Sequence, residues 1–266
     1  TEERSVDIKI VRKNAIDKIL KKKIYPITFE INPKKDPSVI QFRGYEGEIM
    51  DSKVTNGKRL LYDASKPYLE PVDYFNEYRP TKEITIPKAY ILKQGWHRVV
   101  ERLKNNQIFY TQFKKDTTLV VETLHIDDYK TRTSAYEGHY LHYNTSVKID
   151  SNAVHFSKGD LYIPVHQKGA RYIMETLEPE ATDSFFNWNF FDSVLQQKEG
   201  YSGYVFEDVA EQILKENTTI KDAFEAKMVT DKDFEKNPRA QLNFIYKRSL
   251  HYEKAHLLLP IYKAYE

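Results

Sequence analysis

The sequence predicts an α+β protein, β-rich at first and helix-rich after about residue 167, and three observations carry that expectation. Residues 25–165 alternate short β-branched and aromatic runs with turn residues. After Gln167 the apolar spacing changes to the i, i+3, i+4 period of helices. The composition, with 20 Tyr and 14 Phe among 266 residues, favours pleated and half-buried surfaces.

The chain opens on a helix, because Val6, Ile10, Val11, Ala15, Ile16, Ile19 and Leu20 keep amphipathic spacing. Lys21, Lys22 and Lys23 close it before Pro26, placing cations at the negative end of the helix dipole. Those lysines read as a solvated helix end. Strands are expected at 27–31, 39–42, 46–50, 72–78 and 83–86, punctuated by Asn32-Pro33, Asp36-Pro37 and Asn56-Gly57. The tracts Leu60-Leu61-Tyr62 and 136–143 suit half-exposed strands. A strand at 89–92, a helix at 95–104 with Val99, Val100 and Leu103 on one side, and a returning strand at 108–113 form one β-α-β unit. Further strands are expected at 119–126, 147–149, 154–156 and 161–163. Helices are expected at 170–177, 190–197, 207–216, 220–228 and 239–246, with Asp231 as an N-cap and Pro238 in the first turn of the last. The organisation is thus a linking helix (1–22), a β-rich region (23–166) and a helix-rich region (167–266), the last two interlocked.

Composition removes several function classes. Forty-one Lys and Arg against 39 Asp and Glu leave a net charge of +2, short of the bias of a phosphate-backbone binder, so no nucleic acid is expected as partner. No run of eighteen apolar residues is present, so no membrane insertion is expected. The absence of cysteine excludes disulfide frameworks, thiolate zinc sites and cysteine nucleophiles. The first methionine is Met50, so the chain reads as an excised fragment, a processed chain or one that has lost its initiator. Residues 1–23 lack the apolar core of a secretion signal.

Motifs for catalysis are equally sparse. None of the eight histidines begins H-x-x-E or H-E-x-x-H; the nearest approaches, His125-x-x-Asp128 and His139-x-x-His142, lie in extended text where positions three apart face opposite ways. Ser202 lacks the strand-turn-helix frame of a nucleophile elbow, and no glycine-rich phosphate loop occurs. The sequons at Asn144 and Asn217 are expected by chance at this length. The densest feature is Asp183-Ser-Phe-Phe-Asn-Trp-Asn-Phe-Phe-Asp192, with five aromatics in seven residues. Such a cluster serves as core more often than as a stacking platform for sugar or peptide, with Asn187 and Asn189 as hydrogen-bonding partners in the second case. Phe185, Phe186, Trp188, Asn189 and Phe190 are therefore the candidates for substrate or domain contact.

From Ile24 onward the text resembles the segment that follows the catalytic domain in bacterial M14-type zinc carboxypeptidase-like proteins, notably those of the Bacteroidetes. The phrases that carry the resemblance are Phe42-Arg-Gly-Tyr-Glu-Gly-Glu48, Thr85-Ile-Pro-Lys-Ala-Tyr-Ile91 with Gln94-Gly-Trp96, Tyr136-Glu-Gly-His-Tyr-Leu-His142, Tyr172-Ile-Met-Glu-Thr-Leu-Glu-Pro179, the aromatic tract 183–192 and Tyr252-Glu-Lys-Ala-His256. The resemblance implies an exported parent, periplasmic or extracellular, that binds one zinc in an upstream domain and trims peptide C-termini. The ligands and the glutamate base of such a parent have no counterpart here, so the resemblance assigns this chain no catalytic residue, no cofactor and a non-catalytic accessory role. Its expected partners are the upstream catalytic domain and, through it, peptide substrate. Two rival expectations stand beside this one: a free-standing carbohydrate- or peptide-binding module using the tract 185–191, and an enzyme built on His139, His142 and nearby acids.

Overall fold

The computed structural model describes residues 4–265. The chain is α+β, and contact density divides it into two units, Ile24–Ile84 and the remainder.

The smaller unit is built of two two-stranded antiparallel pairs. Strands β1 (Ile24–Ile31) and β4 (Tyr78–Thr85) form one, and β2 (Ser38–Asp51) and β3 (Lys58–Tyr74) the other. The expected strands 39–42 and 46–50 are one continuous strand, because Gly44 lies directly across from Tyr68 and is covered by its ring. A Cβ at Gly44 would meet the end of that ring at 2.5 Å, so a larger residue here would have to displace the Tyr68 side chain. The β2–β3 register breaks only where residues 63–66 of β3 oppose Glu46. The expected strand 72–78 is interrupted after Tyr74.

The larger unit holds a six-stranded antiparallel sheet in the order β6-β9-β5-β10-β7-β8. Its strands are β5 (Ala89–Leu92), β6 (Thr111–Gln112), β7 (Thr117–Thr131), β8 (His142–Phe156), β9 (Leu161–Pro164) and β10 (Leu258–Ala264). The β-α-β expectation holds in direction: β5 and β6 run parallel through helix α2 (His97–Asn105), and β9 lies between them, antiparallel to both. Of the expected strand 108–113 only Thr111 and Gln112 enter the ladder. The expected strands 147–149 and 154–156 are a single strand, because β8 pairs along the whole length of β7.

Strand β10 is the largest departure from the sequence reading, which expects no element after residue 246. It lies between β5 and β7 at the centre of the sheet, with Leu259 to Ala264 all buried. Pro260 argues against a central strand, since it cannot donate to a ladder. The register against β7 is irregular between Leu258 and Tyr262, which accommodates the proline, and its carbonyl accepts from the Lys93 backbone N–H at 3.1 Å. Lys263 argues the same way and is resolved by pairing. Its ammonium lies 3.2 Å from Glu122 on β7 and 3.7 Å from Glu178.

Glu178 caps helix α3 (Ala170–Leu177), whose Ile173, Met174 and Leu177 are fully buried. The Tyr90 hydroxyl donates to the same carboxylate. Burial pushes the Glu178 carboxyl up, against the pull of Lys263 and Tyr90, and pushes the Tyr90 hydroxyl well above its ordinary range.

The helices α4 (Gly203–Glu216), α5 (Thr218–Thr230), α6 (Lys232–Glu235) and α7 (Pro238–Tyr246) follow. Three start on side-chain caps: Asn217, Asp231 and Asn237 each accept a backbone N–H at 3.0 Å, from Ile220, Phe234 and Ala240. Asp231 and Pro238 thus take their expected places, and the Asn217 sequon serves as a cap. Phe206, Ala210, Ile245 and Tyr246 form the core of this group. The expected helix 190–197 is only a 3-10 turn, Asp192–Leu195. The opening helix α1 (Ser5–Leu20) is present, but no side chain on it is buried. Val6, Ile10 and Val11 are exposed, so the amphipathic spacing seats only its C-terminal end, where Ile16, Ile19 and Leu20 are half-buried.

Candidate functional site

The aromatic tract and the tract 136–143, read separately in the sequence, meet in the structure. The turn at Tyr136 to His139 is closed by reciprocal backbone bonds of 2.8 and 2.9 Å. Glu137 and Gly138 both have positive φ, the left-handed geometry of a two-residue hairpin turn. This turn sets the His139 ring 5.6 Å from Trp188 and parallel to Phe190 at 6.3 Å. Tyr136 lies 6.3 Å from Trp188, and the Arg98 guanidinium stands 4.9 Å over the Phe190 ring. The result is an aromatic surface of Tyr136, His139, Trp188 and Phe190 with one cation at its edge. Tyr136 and Tyr140 are exposed, while His139, Trp188 and Phe190 are half-buried.

The rest of the tract is structural. Phe185, Phe186 and Phe191 are buried, which takes Phe185 and Phe186 out of any contact surface and makes them its support. Phe185 packs under Phe190 at 5.0 Å, and Phe191 meets Trp96 edge-on at 4.9 Å. Asn187 is fully committed within the fold: its amide donates to the Ala181 carbonyl at 2.8 Å and its side-chain oxygen accepts from Thr145 at 2.6 Å. Its hydrogen-bonding capacity goes to holding the segment's shape.

Asn189 has a φ of 62° and turns its amide nitrogen toward the Tyr140 carbonyl at 3.0 Å and the Asp192 carboxylate at 3.2 Å. Its side-chain oxygen is buried without a hydrogen-bond partner. His142, also buried, is clamped between Thr131 at 2.9 Å and Asp192 at 3.1 Å. Its ring packs on Phe186 at 5.0 Å and Tyr129 at 4.8 Å. Thr131 and His142 are direct ladder partners, so this line of groups ties the connected end of the β7–β8 hairpin, where residues 132–141 leave it, to the aromatic tract.

The two histidines of His139-x-x-His142 therefore have separate duties, one ring at the surface and one in the core. Among the described residues no group of three or more His, Cys, Asp or Glu is arranged to hold a metal. Sequence reasoning missed Tyr129, Thr131 and Arg98, which no local pattern marks, and gave Asp192 no role although it ends the tract. The arrangement can stack on a planar or apolar ligand face and offer a cation beside it.

Comparison with known proteins finds no matching family profile, no similar curated sequence and no similar solved structure.

Proposed function

We propose that this chain is a non-catalytic accessory region of an M14-like zinc carboxypeptidase, covered in the intact protein by the upstream catalytic domain. Zinc and the hydrolysis of peptide C-termini belong to that upstream domain; this chain contributes surface. The parent is exported, to the periplasm or beyond the cell. No helix among the described residues is long and apolar enough to cross a membrane.

The observation that carries the reading is the uncovered β2–β3 ribbon. It presents Ile40, Phe42, Tyr45, Ile49, Leu60 and Leu69 to solvent, and of the whole unit Ile24–Ile84 only Tyr25, Ile27 and Ile84 are buried. The chain exposes 18,752 Å². Two separate compact bodies of the two units' lengths would together expose only roughly 14,000 Å². The excess lies on one chain, so it is more than enough for this side of an obligate interface, whose total over both partners is about 2,000–5,000 Å² or more. Pro67 and Pro71 of β3 pair with Tyr45 and Gln41 of β2. Unable to donate into the ladder, they leave the outer edge of β3 short of two donors. The β3 edge is therefore poorly suited to strand addition, and the reading has a packed domain meet the faces of the ribbon.

The test is the source DNA upstream of the Thr1 codon. An open frame running back through a domain of roughly ordinary size, about 100–200 residues or more, with H-x-x-E and a later histidine is the expected result. A start codon directly before Thr1 overturns it. In that case the reading of a free-standing carbohydrate- or peptide-binding module leads, favoured by the aromatic surface of Tyr136, His139, Trp188 and Phe190. Its own test is Trp188→Ala, which on that reading abolishes saturable oligosaccharide or peptide binding and leaves the melting temperature nearly unchanged.

A further inference from the structure

We infer that the groove between α1 and α3 binds an amphiphilic anion, an acidic headgroup carried on an alkyl chain. A cavity of about 460 Å³ opens where the last turn of α1 meets segment 85–88, the end of β9, α3 and the end of β10. That size lies within the range of small-molecule sites. Ile19, Leu20, Ile86, Val165, Ala170 and Met174 make its apolar lining. Its charged groups are Lys22, Lys23 and Lys88, with His166 beside them, and among the described residues no carboxylate lines it.

What sets these three lysines apart is that they line one apolar cavity together; in lacking a salt bridge they are like most described lysines of the chain. Lys58, Lys93, Lys148, Lys215, Lys227 and Lys263 each have a carboxylate within salt-bridge distance. Among the described residues Lys22, Lys23 and Lys88 have none. The carboxylate behind the cavity is Glu122, and it is already taken: Tyr265, which lines the cavity, donates to it at 3.1 Å, and Lys263 lies 3.2 Å from it. The lysine run that reads in sequence as a solvated helix end thus stands over an apolar hollow, joined there by a third cation from a distant part of the chain.

The two halves of the cavity ask for one ligand. A bare anion would leave the apolar lining wet, and a neutral hydrocarbon would make no use of the three cations at its rim. An acidic headgroup with an alkyl tail satisfies both. A second cavity of about 460 Å³ shares Ile19 and Ala170 with the first and continues the groove along α1 and α3, with Ala15, Ile16 and Tyr172 as its apolar share and Arg12, Lys168, Arg171 and Glu175 at its border. It gives the tail a path. The inference stands on this groove alone and does not depend on the accessory-region reading.

Calorimetric titration of the full chain tests it, with decanoate and decyl phosphate as probes that separate a carboxylate from a phosphate headgroup. Saturable binding of at least one, at one site per chain and weakened by added salt, is expected. Replacing the three exposed lysines together, Lys22→Gln, Lys23→Gln and Lys88→Gln, should weaken that binding about tenfold or more, with an unchanged melting temperature. Salt dependence in the unaltered chain serves as the second measurement if the triple variant folds poorly. Absence of binding by both probes overturns the proposal. So does equal binding by decyltrimethylammonium, which would remove the charge argument, or by acetate and inorganic phosphate, which would remove the apolar one.

Discussion

The β2–β3 ribbon and the β7–β8 hairpin are built alike and solvated differently. Each is a long antiparallel pair rich in Val, Ile, Leu and Tyr, and each keeps its register over most of its length. In β7, Val121, Leu124 and Ile126 are buried against a sheet that continues into β10. In the ribbon no residue is buried. Cross-strand pairing alone therefore suffices to write a strand and its register, but not to bury it; burial comes from the layers laid on the sheet. For β7 the neighbouring layer is supplied by this chain. For the ribbon no described residue supplies one.

The comparison breaks first at Lys263, where the larger unit depends on a buried charge. Lys263→Met leaves Glu178 beside Glu122 without a cation and should cost about 3–5 kcal/mol of unfolding free energy, read by denaturant titration. A cost below about 1 kcal/mol would mean that Glu178 is already protonated and that Lys263 is needed only by Glu122.

Leu124 gives the next effect. It is fully buried in β7, and Leu124→Ala should cost about 2–5 kcal/mol through lost transfer energy and the cavity left behind.

A smaller effect is read in pH. Burial holds the Glu178 carboxyl above its ordinary value of 4.5. The folded state then binds a proton that the unfolded state releases first, so stability falls as pH rises from about 4.5 through the raised value. Glu178→Gln keeps an acceptor for Tyr90 and removes the proton from the balance. Its stability should lose less than that of the parent chain across this window, and parallel curves for the two would refute the burial argument.

The α+β class, the opening helix, the β-α-β unit, α3 and the helix starts at Asp231 and Pro238 were legible because each rests on local chemistry: helical period, turn residues, an Asp or Pro at a helix start; the caps Asn217 and Asn237 went unread. Strand β10 was not legible. Its short apolar run holds Pro260 and Lys263, two residues that speak against a central strand until a bulge and two distant carboxylates are known. The expected helix 190–197 failed for the opposite reason. Its apolar spacing is real, but Phe191 and Val194 are held by tertiary contacts in a turn, with Phe191 on Trp96. At the site, the aromatic tract was visible as a cluster, whereas the division into buried Phe185 and Phe186 and surface Trp188 and Phe190 depends on the turn at 136–139. That turn is some fifty residues away in sequence, and no spacing rule links the two.

The smallest expected effect decides most about the ribbon. Leu60→Ala removes the same atoms as Leu124→Ala, but Leu60 is 50% exposed and lies across from Ile49, which is exposed as well. In the isolated chain at low concentration its cost should stay within about 0.5 kcal/mol, as for other surface sites. If Leu60→Ala instead costs as much as Leu124→Ala, the ribbon is already covered in solution, and a dilution series separates the causes. A cost that vanishes on dilution means that two copies of the chain pack their ribbons together. A cost that persists means that the ribbon folds against its own chain, and the catalytic domain then loses the surface proposed for it.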